Sequence, residues 1–371
     1  MNDIRRTILW VIFGFSMVML WDQWQVHNGN KATFFPSSAK TAASAAPASA
    51  SAAPAASGVP SSNAVAATAQ VPATTAAAPA QGAAPRERVV ISTDVLKLTL
   101  DSEGGTIVKS EFVKHADMAD PKKSTVLLDE SKDRFYVAQT GLIGGAFPTH
   151  KTPMTVTGER VLKDGVNELA VKFESPDLGG VKLVKTYTFK RGSYAVAVKH
   201  DVINTGSAPV SPQLYLQLVR DGNKPPGESS FYSTFTGPAV YSPEKKYQKV
   251  EFSDIEKGKA DFEKSAPSGY VAMVQHYFAS AWVLPDGPRE NFMRKLEANL
   301  YAVGAIAAPL PALAPGQTAK AEARFYAGPQ EEKRLEAMAP GLELVKDYGW
   351  FTVFSKPLFW LLDYLYKLLG N

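Results

Sequence analysis

A long segment without any charged residue divides this chain and limits how much of it can fold around a core. Residues 41–85 contain no Asp, Glu, Lys or Arg, and 21 of these 45 residues are Ala, with Pro, Ser and Thr making up most of the rest. Such a stretch cannot bury enough apolar surface to offset the entropy lost on ordering, and its prolines interrupt the helix that alanine favours. We therefore predict a flexible linker over residues 27–85 and a folded body over residues 86–345.

Composition excludes several classes of protein. The sequence has no Cys, which rules out disulfides, thiolate catalysis, Cys-ligated zinc and a lipoprotein anchor. The densest charge run, residues 243–265, contains six Lys and six acidic residues and is therefore neutral overall. A nucleic-acid-binding surface needs a stripe of one sign. We expect no nucleic-acid partner.

The first 26 residues have the pattern of a transmembrane anchor. The run 7–21 carries no charge, and extending it to Val26 gives about 20 residues, or ~30 Å of helix, which matches the hydrocarbon thickness of a bilayer. A cleaved signal peptide is the alternative, but Trp21 and Trp24 follow the apolar core where small residues would mark a cleavage site. The residues expected to form the membrane anchor are Ile8, Leu9, Trp10, Val11, Ile12, Phe13, Phe15, Val18, Leu20 and Trp21.

Two arginines predict the orientation of this anchor. Arg5 and Arg6 precede the apolar run, and basic residues beside a membrane span stay on its cytoplasmic side. The N-terminus is therefore predicted to be cytoplasmic and the body to lie across the membrane. In a bacterium this places the body in the periplasm, attached to the inner membrane.

The body is predicted to be β structure throughout, arranged as an antiparallel sandwich or barrel. Short runs rich in β-branched and aromatic residues alternate with turn residues, and few segments have a helical period. The predicted strands are residues 89–100, 134–139, 168–173, 181–190, 193–203, 213–219, 270–283 and 319–327. One internal helix is predicted over residues 330–338, ending before Pro340 and Gly341.

The sequence contains no recognisable catalytic motif. A Gly-rich phosphate loop, His-Glu-x-x-His and Gly-x-Ser-x-Gly are all absent. The five His are scattered. His200 and His276 are candidates for a sugar-site acid or base, and a structural role is the alternative for each. The aromatic segment 270–282 fits either a groove lining or a buried core strand. We predict no catalytic residue, metal site, cofactor or small-molecule substrate.

The last 26 residues, 346–371, change character and predict an amphipathic helix. Ser355 is a suitable cap, Pro357 suits the first turn, and Gly370 suits the residue just past the end. With three charges in so short a run, this helix is expected to lie in the membrane interface and not to span it; docking on the β body is the alternative. The residues assigned to it are Trp350, Phe354, Pro357, Leu358, Phe359, Leu361, Leu362, Leu365, Leu368 and Leu369.

Several sequence blocks resemble the YidC family of bacterial membrane protein insertases. Residues 347–350 (DYGW), 355–362 (SKPLFWLL) and the final Gly-Asn resemble the segment that precedes the conserved core of that family. Other blocks follow in the family's order: residues 92–100 with the glycines at 104 and 105, and residues 188–196, 241–247, 269–273 and 315–318. The resemblance extends over the whole chain.

This resemblance implies a fold, a mechanism and a set of partners. The fold is an antiparallel β-supersandwich similar to sugar mutarotases. The activity is non-enzymatic insertion and chaperoning of inner-membrane proteins, alone or with the Sec translocon and its accessory SecDF-YajC complex. Family members continue beyond the final Gly-Asn with five more transmembrane helices around a hydrophilic groove, so we expect this chain to supply the anchor, periplasmic domain and interfacial helix.

Two other functions remain open at the level of sequence. One is a membrane-tethered carbohydrate-binding or aldose-epimerase-like periplasmic protein, which the same fold similarity suggests. An epimerase needs paired acid and base groups around one sugar, and the isolated His positions give that little support. The other is a periplasmic scaffold that acts through protein contacts alone.

Overall fold

The computed structural model of this protein describes residues 18, 21, 86–117, 120–225 and 235–346. The chain divides into two units, residues 1–66 and 67–371. In the first unit, Val18 and Trp21 are helical and the Trp21 side chain is exposed. Within the described residues, no helix has the length and apolar character needed to cross a membrane.

The described part of the second unit is built from eighteen strands with three short helical segments. The strands are β1 (Arg88–Ser92), β2 (Leu96–Asp101), β3 (Thr106–Ala116), β4 (Ser124–Glu130), β5 (Phe135–Ile143), β6 (Thr155–Gly158), β7 (Glu168–Glu174), β8 (Val181–Lys190), β9 (Ala195–Asn204), β10 (Gln213–Asp221), β11 (Gly237–Ser242), β12 (Lys246–Lys249), β13 (Ser265–Ala266), β14 (Tyr270–Gln275), β15 (Phe278–Val283), β16 (Arg289–Lys295), β17 (Leu300–Ala307) and β18 (Thr318–Pro329). The helical segments are α1 (Phe252–Glu256), α2 (Glu332–Met338) and a 3-10 helix (Leu342–Val345).

These strands form two nine-stranded antiparallel sheets. The first sheet has the order β1-β2-β3-β4-β5-β10-β17-β16-β13, and the second has the order β12-β11-β14-β15-β18-β9-β8-β7-β6. Strands from the first and second halves of the sequence are interleaved in both sheets, so the described body is one supersandwich and not two consecutive domains. The predicted fold class is confirmed.

Contacts between the inner faces of the two sheets hold the sandwich together. Tyr136 of β5 lies 2.6 Å from the hydroxyl of Ser280 on β15, and the indole N–H of Trp282 donates to the carbonyl of Gln217 on β10 at 3.2 Å. Tyr136 and Trp282 are almost fully buried. Because buried Tyr and Trp bring a large apolar area to the core and retain a polar atom that needs a partner, these bonds also fix how the sheets face each other.

The strand predicted over residues 193–203 is confirmed as β9, and its side chains alternate between the two faces of the sheet. In β9, Tyr194 just before the strand and Val196, Val198 and Val202 within it are buried on the inner face. Successive side chains of a strand point to opposite faces, so the intervening positions face outward and are more exposed.

Two predicted strands are each a hairpin of two strands. Residues 89–100 break at Thr93, whose hydroxyl donates to the Leu96 carbonyl and accepts from the Leu96 N–H, both at 3.0 Å. This local side-chain bonding competes with the strand ladder. Residues 270–283 turn at His276 and Tyr277, and β14 pairs with β15 across that turn. In both runs the few turn residues lie between stretches of β-branched and apolar residues, so each run has the composition of one long strand.

Candidate functional site

A polar centre lies between the sheets and is organised by the β2–β3 turn. The carbonyls of Gly104 and Gly105 point into the core, where the first accepts from Lys185 Nζ and the second from the Tyr187 hydroxyl, both at 2.6 Å. Lys185 Nζ also donates to the carbonyl of Thr140 at 2.7 Å. Buried backbone carbonyls need donors, so the two β8 side chains hold the turn of one sheet against the other.

A buried histidine completes this centre. His200 lies opposite Lys185 in the β8–β9 register, and its Nε2 is 3.0 Å from the hydroxyl of Thr140. Burial lowers the pKa of Lys185 to about 7. Burial, followed by the nearby Lys185 charge, lowers the pKa of His200 to about 3, while a backbone contact with Ala321 acts in the opposite direction. His200 is therefore neutral near pH 7.

A second buried histidine lies close by on the segment before β6. His150 Nδ1 is 2.5 Å from the hydroxyl of Tyr215, which also accepts from the His150 backbone N–H at 3.0 Å. Burial, then the charges of Lys185, Lys151 and Arg294, lower the pKa of His150 to about 3. A neutral, positioned imidazole of this kind fits a role in packing.

The polar centre is closed to solvent and so does not offer a substrate site. Lys185 and His200 are 0% exposed, and His150 is 4% exposed. General acid–base chemistry needs the catalytic group within hydrogen-bond reach of a bound substrate, and here Lys185 Nζ and His200 Nε2 contact the protein's own Gly104 and Thr140. The structure assigns His200 a structural role.

His276, the other candidate sugar-site histidine, lies in a turn. His276 and Tyr277 form the β14–β15 turn, with Tyr277 55% exposed. The strands on either side are buried, and Met273 and Trp282 belong to the main core. The aromatic segment 270–282 is therefore a core hairpin with an exposed tip, in agreement with the buried-strand interpretation.

The C-terminal part of the body is fastened to the second sheet and is the candidate functional site. The helix α2 begins two residues later than predicted, and its buried residues Leu335 and Met338 join the main core together with Leu342 and Val345 of the 3-10 helix. Hydrophobic burial of this kind stabilises by about 1.5–3 kcal/mol for each large side chain. Residues 332–345 are thus an integral part of the sandwich.

Two stacked tyrosines and one glycine form the centre of this attachment. The Tyr241 and Tyr270 rings are parallel to within 8°, with centroids 5.3 Å apart, and the Tyr270 hydroxyl donates to the carbonyl of Gly341 at 2.7 Å. Gly341 has a φ of +78°, and a Cβ atom on it would come within 2.2 Å of the Tyr241 ring. We name Tyr241, Tyr270 and Gly341 the C-terminal clamp, because they hold the start of the last described helical segment, Leu342–Val345, against the body.

Replacing Gly341 by Ala is expected to open the C-terminal clamp. The left-handed φ and the contact with Tyr241 together are expected to cost about 2 kcal/mol. Hydrogen exchange of residues 332–346 should become at least about tenfold faster, since 1.4 kcal/mol corresponds to a factor of ten. The matched control is Gly165→Ala, which has a φ of +79° and no atom within 4 Å of the added Cβ. Equal exchange in the two variants would contradict the clamp.

The sequence alone identifies neither the polar centre nor the C-terminal clamp. Lys185 occupies an inward position in the alternation Val181, Leu183, Lys185, Tyr187, Phe189, and a charged residue at such a position is the signal that points to a buried polar centre. The bond between Tyr270 and Gly341 joins positions 71 residues apart. No local pattern reveals it.

Most of the predicted membrane-contacting residues lie outside the described part of the chain. This applies to Arg5 and Arg6, to the anchor residues other than Val18 and Trp21, and to the whole predicted interfacial helix. The anchor, its orientation and the helix therefore stay predictions.

Comparison with known proteins defines the family. The sequence model described as the YidC periplasmic domain matches residues 88–361. A protein named membrane protein insertase YidC from Janthinobacterium sp. (strain Marseille) is 52% identical over 375 residues, covering 100% of this chain and 65% of its own length. Proteins of the same name from Bordetella petrii and Cupriavidus necator are each 50% identical, over 100% of this chain and 66% and 65% of their lengths.

The chain therefore belongs to the YidC family. It spans 65–66% of the length of these relatives.

Solved structures with similar β architecture are distant in sequence. A galactose mutarotase related enzyme from Lactobacillus acidophilus has a TM-score of 0.43 and 9% identity, covering 65% of this chain and 97% of that protein. A putative aldose 1-epimerase from Escherichia coli K12 has a TM-score of 0.39 and 12% identity, covering 66% of this chain and 99% of that protein.

Proposed function

We propose that this chain is the membrane-tethered periplasmic part of a YidC-type insertase, which assists insertion, folding and assembly of inner-membrane proteins. The observation that carries the proposal is the identity of about half along the whole chain to proteins named membrane protein insertase. Its role is to hold a folded, non-enzymatic body at the outer surface of the inner membrane. The proposed partners are membrane lipid, client membrane proteins, the Sec translocon and the SecDF-YajC complex.

The attachment of the C-terminal part of the body to the second sheet supports this role. The C-terminal clamp holds Gly341 against the second sheet, directly before the 3-10 helix Leu342–Val345. If residues 347–371 lie in the membrane interface, as their amphipathic pattern predicts, this attachment limits how far the body can move from the lipid. Any membrane-inserting groove that follows would then have a folded domain fixed beside it.

Orientation provides the first test. A single Cys in place of Val166, which is exposed, gives a unique label site because the chain has no other Cys. In intact spheroplasts, a membrane-impermeant maleimide should label this position without lysis. Labelling only after the cytoplasmic side has been opened would contradict a periplasmic body.

Client contact provides the second test. After a short pulse of radiolabelled amino acids, the full chain is isolated in mild detergent and the bound newly made proteins are counted. Inner-membrane proteins, and subunits of the Sec machinery, should be enriched over a secreted soluble control. Failure to enrich either group would overturn the proposal. Saturable binding of galactose or glucose, or their mutarotation, would instead favour the carbohydrate-binding alternative.

A further inference from the structure

A buried arginine lies at the corner where the chain passes from the first sheet to the second. Arg289 is the first residue of β16 and pairs with Ala266 of β13, a border strand of the first sheet. Its Nη1 donates to the carbonyl of Gly269 at 2.9 Å, in the connection between β13 and β14 of the second sheet. The residue is only 4% exposed. Arg289 therefore links the two sheets where they meet.

Only one of the three nitrogens of this guanidinium group has a hydrogen-bond partner. The buried Nε and Nη2 atoms of Arg289 donate to no acceptor in the described part of the chain. The other buried arginine of the described body, Arg220, donates from all three nitrogens, at 2.9–3.1 Å, to the carbonyl of Asp221, the side-chain oxygen of Gln275 and the carbonyl of Asn223. Because buried N–H groups almost always have a partner, those of Arg289 need an acceptor that the described residues do not supply.

The charge of Arg289 also lacks a counter-charge in contact with it. Burial lowers the pKa of Arg289, and the charge of Asp286 acts in the opposite direction. Arginine nevertheless stays protonated in proteins, and Arg289 makes no ion pair with a described carboxylate. Four other arginines of the described body do pair with carboxylates: Arg86, Arg88, Arg160 and Arg334.

An unpaired buried cation favours an anion over a water molecule as the missing partner. Burying a charge is costly unless the charge is both paired and hydrogen-bonded. A water molecule would accept a hydrogen bond from Arg289 but would bring no negative charge. An anion would supply both the acceptor and the charge.

The two unpartnered nitrogens lie on one side of the guanidinium group. The N–H bonds of Nε and Nη2 in an arginine run side by side, and this arrangement matches the two oxygens of a carboxylate or phosphate. Nη1 of Arg289, which is bonded to Gly269, lies on the other side. The free side of Arg289 therefore has the geometry for an anion with two oxygens, which a chloride ion cannot match.

The surroundings of Arg289 restrict the size of such an anion. The neighbouring residues Pro288 and Glu290 are exposed, so Arg289 lies close to the surface. The Glu290 side chain points to the opposite face of the strand, because successive side chains alternate. Since Nε and Nη2 are themselves closed to solvent, the site suits a small ion and not a polypeptide segment.

We infer that Arg289 binds a small oxyanion, a carboxylate or a phosphate, through Nε and Nη2. The bound ion would neutralise the buried charge and hold the connection between β13 and β14 in place. That connection reaches the C-terminal clamp, because Gly269 packs directly against the carbonyl of Tyr241. The site requires only the folded body, so its failure would leave the proposed function unaffected.

The Nε–H resonance of Arg289 tests this site in the wild-type protein. The full chain in detergent is labelled with ¹⁵N-arginine, and the resonance is assigned by its loss in Arg289→Lys. Sodium acetate and sodium phosphate are titrated against sodium chloride at equal ionic strength. The resonance should shift saturably with acetate, phosphate or both, with half-saturation at about 10 mM or below, and not with chloride. Absence of a shift at about 100 mM of either oxyanion, tenfold above that value, would overturn the inference.

Thermal unfolding of variants provides an independent measurement. An ion that binds only the folded chain raises its unfolding midpoint, so acetate or phosphate should raise the midpoint of the wild type. Arg289→Gln should lose this rise, and Arg289→Lys, which keeps the charge but not the paired N–H groups, should need at least about tenfold more ion. The matched control is Arg324→Gln at an exposed position, which should keep the full rise. An equal rise in Arg289→Gln and the wild type would overturn the inference; if Arg289→Gln does not fold, the wild-type resonance decides.

Discussion

Replacing Gly104 by Ala is expected to lower the free energy of unfolding by about 4 kcal/mol or more. Gly104 has a φ of +71°, and an added Cβ would lie 2.2 Å from the carbonyl oxygen of His150 and 2.4 Å from its Cα. These are backbone atoms, so no rotamer change relieves the overlap. Movement of the turn would also weaken the bond from Lys185 to the Gly104 carbonyl and the bond from the Gly104 N–H to Thr152.

Gly192→Ala is the matched control for this experiment. Gly192 has the same φ of +71°, but no atom lies within 4 Å of an added Cβ. The control measures the backbone conformation alone, which is expected to cost about 1 kcal/mol. Urea unfolding of the full chain in detergent, followed by circular dichroism, gives both values. Equal losses of unfolding free energy in the two variants would show that close packing of Gly104 against the His150 backbone does not contribute to stability.

Lowering the pH from 7 to 5 is expected to reduce the free energy of unfolding by about 4 kcal/mol through His150 and His200. Both have a folded-state pKa lowered to about 3 by burial, against 6.5 when unfolded. The unfolded chain therefore binds protons that the folded chain does not. The stability contribution is complete above pH 6.5 and is lost progressively as the pH falls toward 3.

A variant and a second pH range make this prediction specific. His200→Gln keeps a side-chain partner for Thr140 but cannot titrate, so about half of the loss between pH 7 and 5 should disappear. An unchanged loss would exclude His200 as its source.

Above pH 7 the buried Lys185 gives a separate trend. Its pKa is lowered to about 7, so the free energy of unfolding should rise by about 3 kcal/mol from pH 7 to 9.5. Lys185→Met should remove that rise.

The class of fold follows from local sequence patterns, whereas the arrangement of the sheets does not. The alternation in β8 and β9 predicts their length and buried face because a period of two is a property of the strand itself. The order of strands depends on contacts between distant residues. The short connections on either side of β8 predict its place between β7 and β9, but nothing near Leu300 indicates that β17 lies beside β10.

The buried polar contacts of the core are also not predictable from local sequence, because their partners are distant along the chain. His200 is visible in the sequence as a histidine in an alternating strand, but its partner Thr140 is 60 residues away. Lys185 differs from the other lysines of its strand only in its inward-facing position. The C-terminal clamp depends on a ring stack between β11 and β14 and on the position of Gly341 against it. The His200 contact exists only after both sheets have formed, and the clamp exists only after β11 has paired with β14.

The strands that border the two sheets of the described body leave little unpaired edge. Three of the four border strands are very short: β13 has two residues, and β6 and β12 have four each. The fourth, β1, is partly covered by residues 160–162, which bond to Ser92. Unpaired strand edges recruit extended segments of other chains, and short or covered edges limit this. A body built in this way can stay beside aggregation-prone polypeptides without being drawn into their β-sheet aggregates.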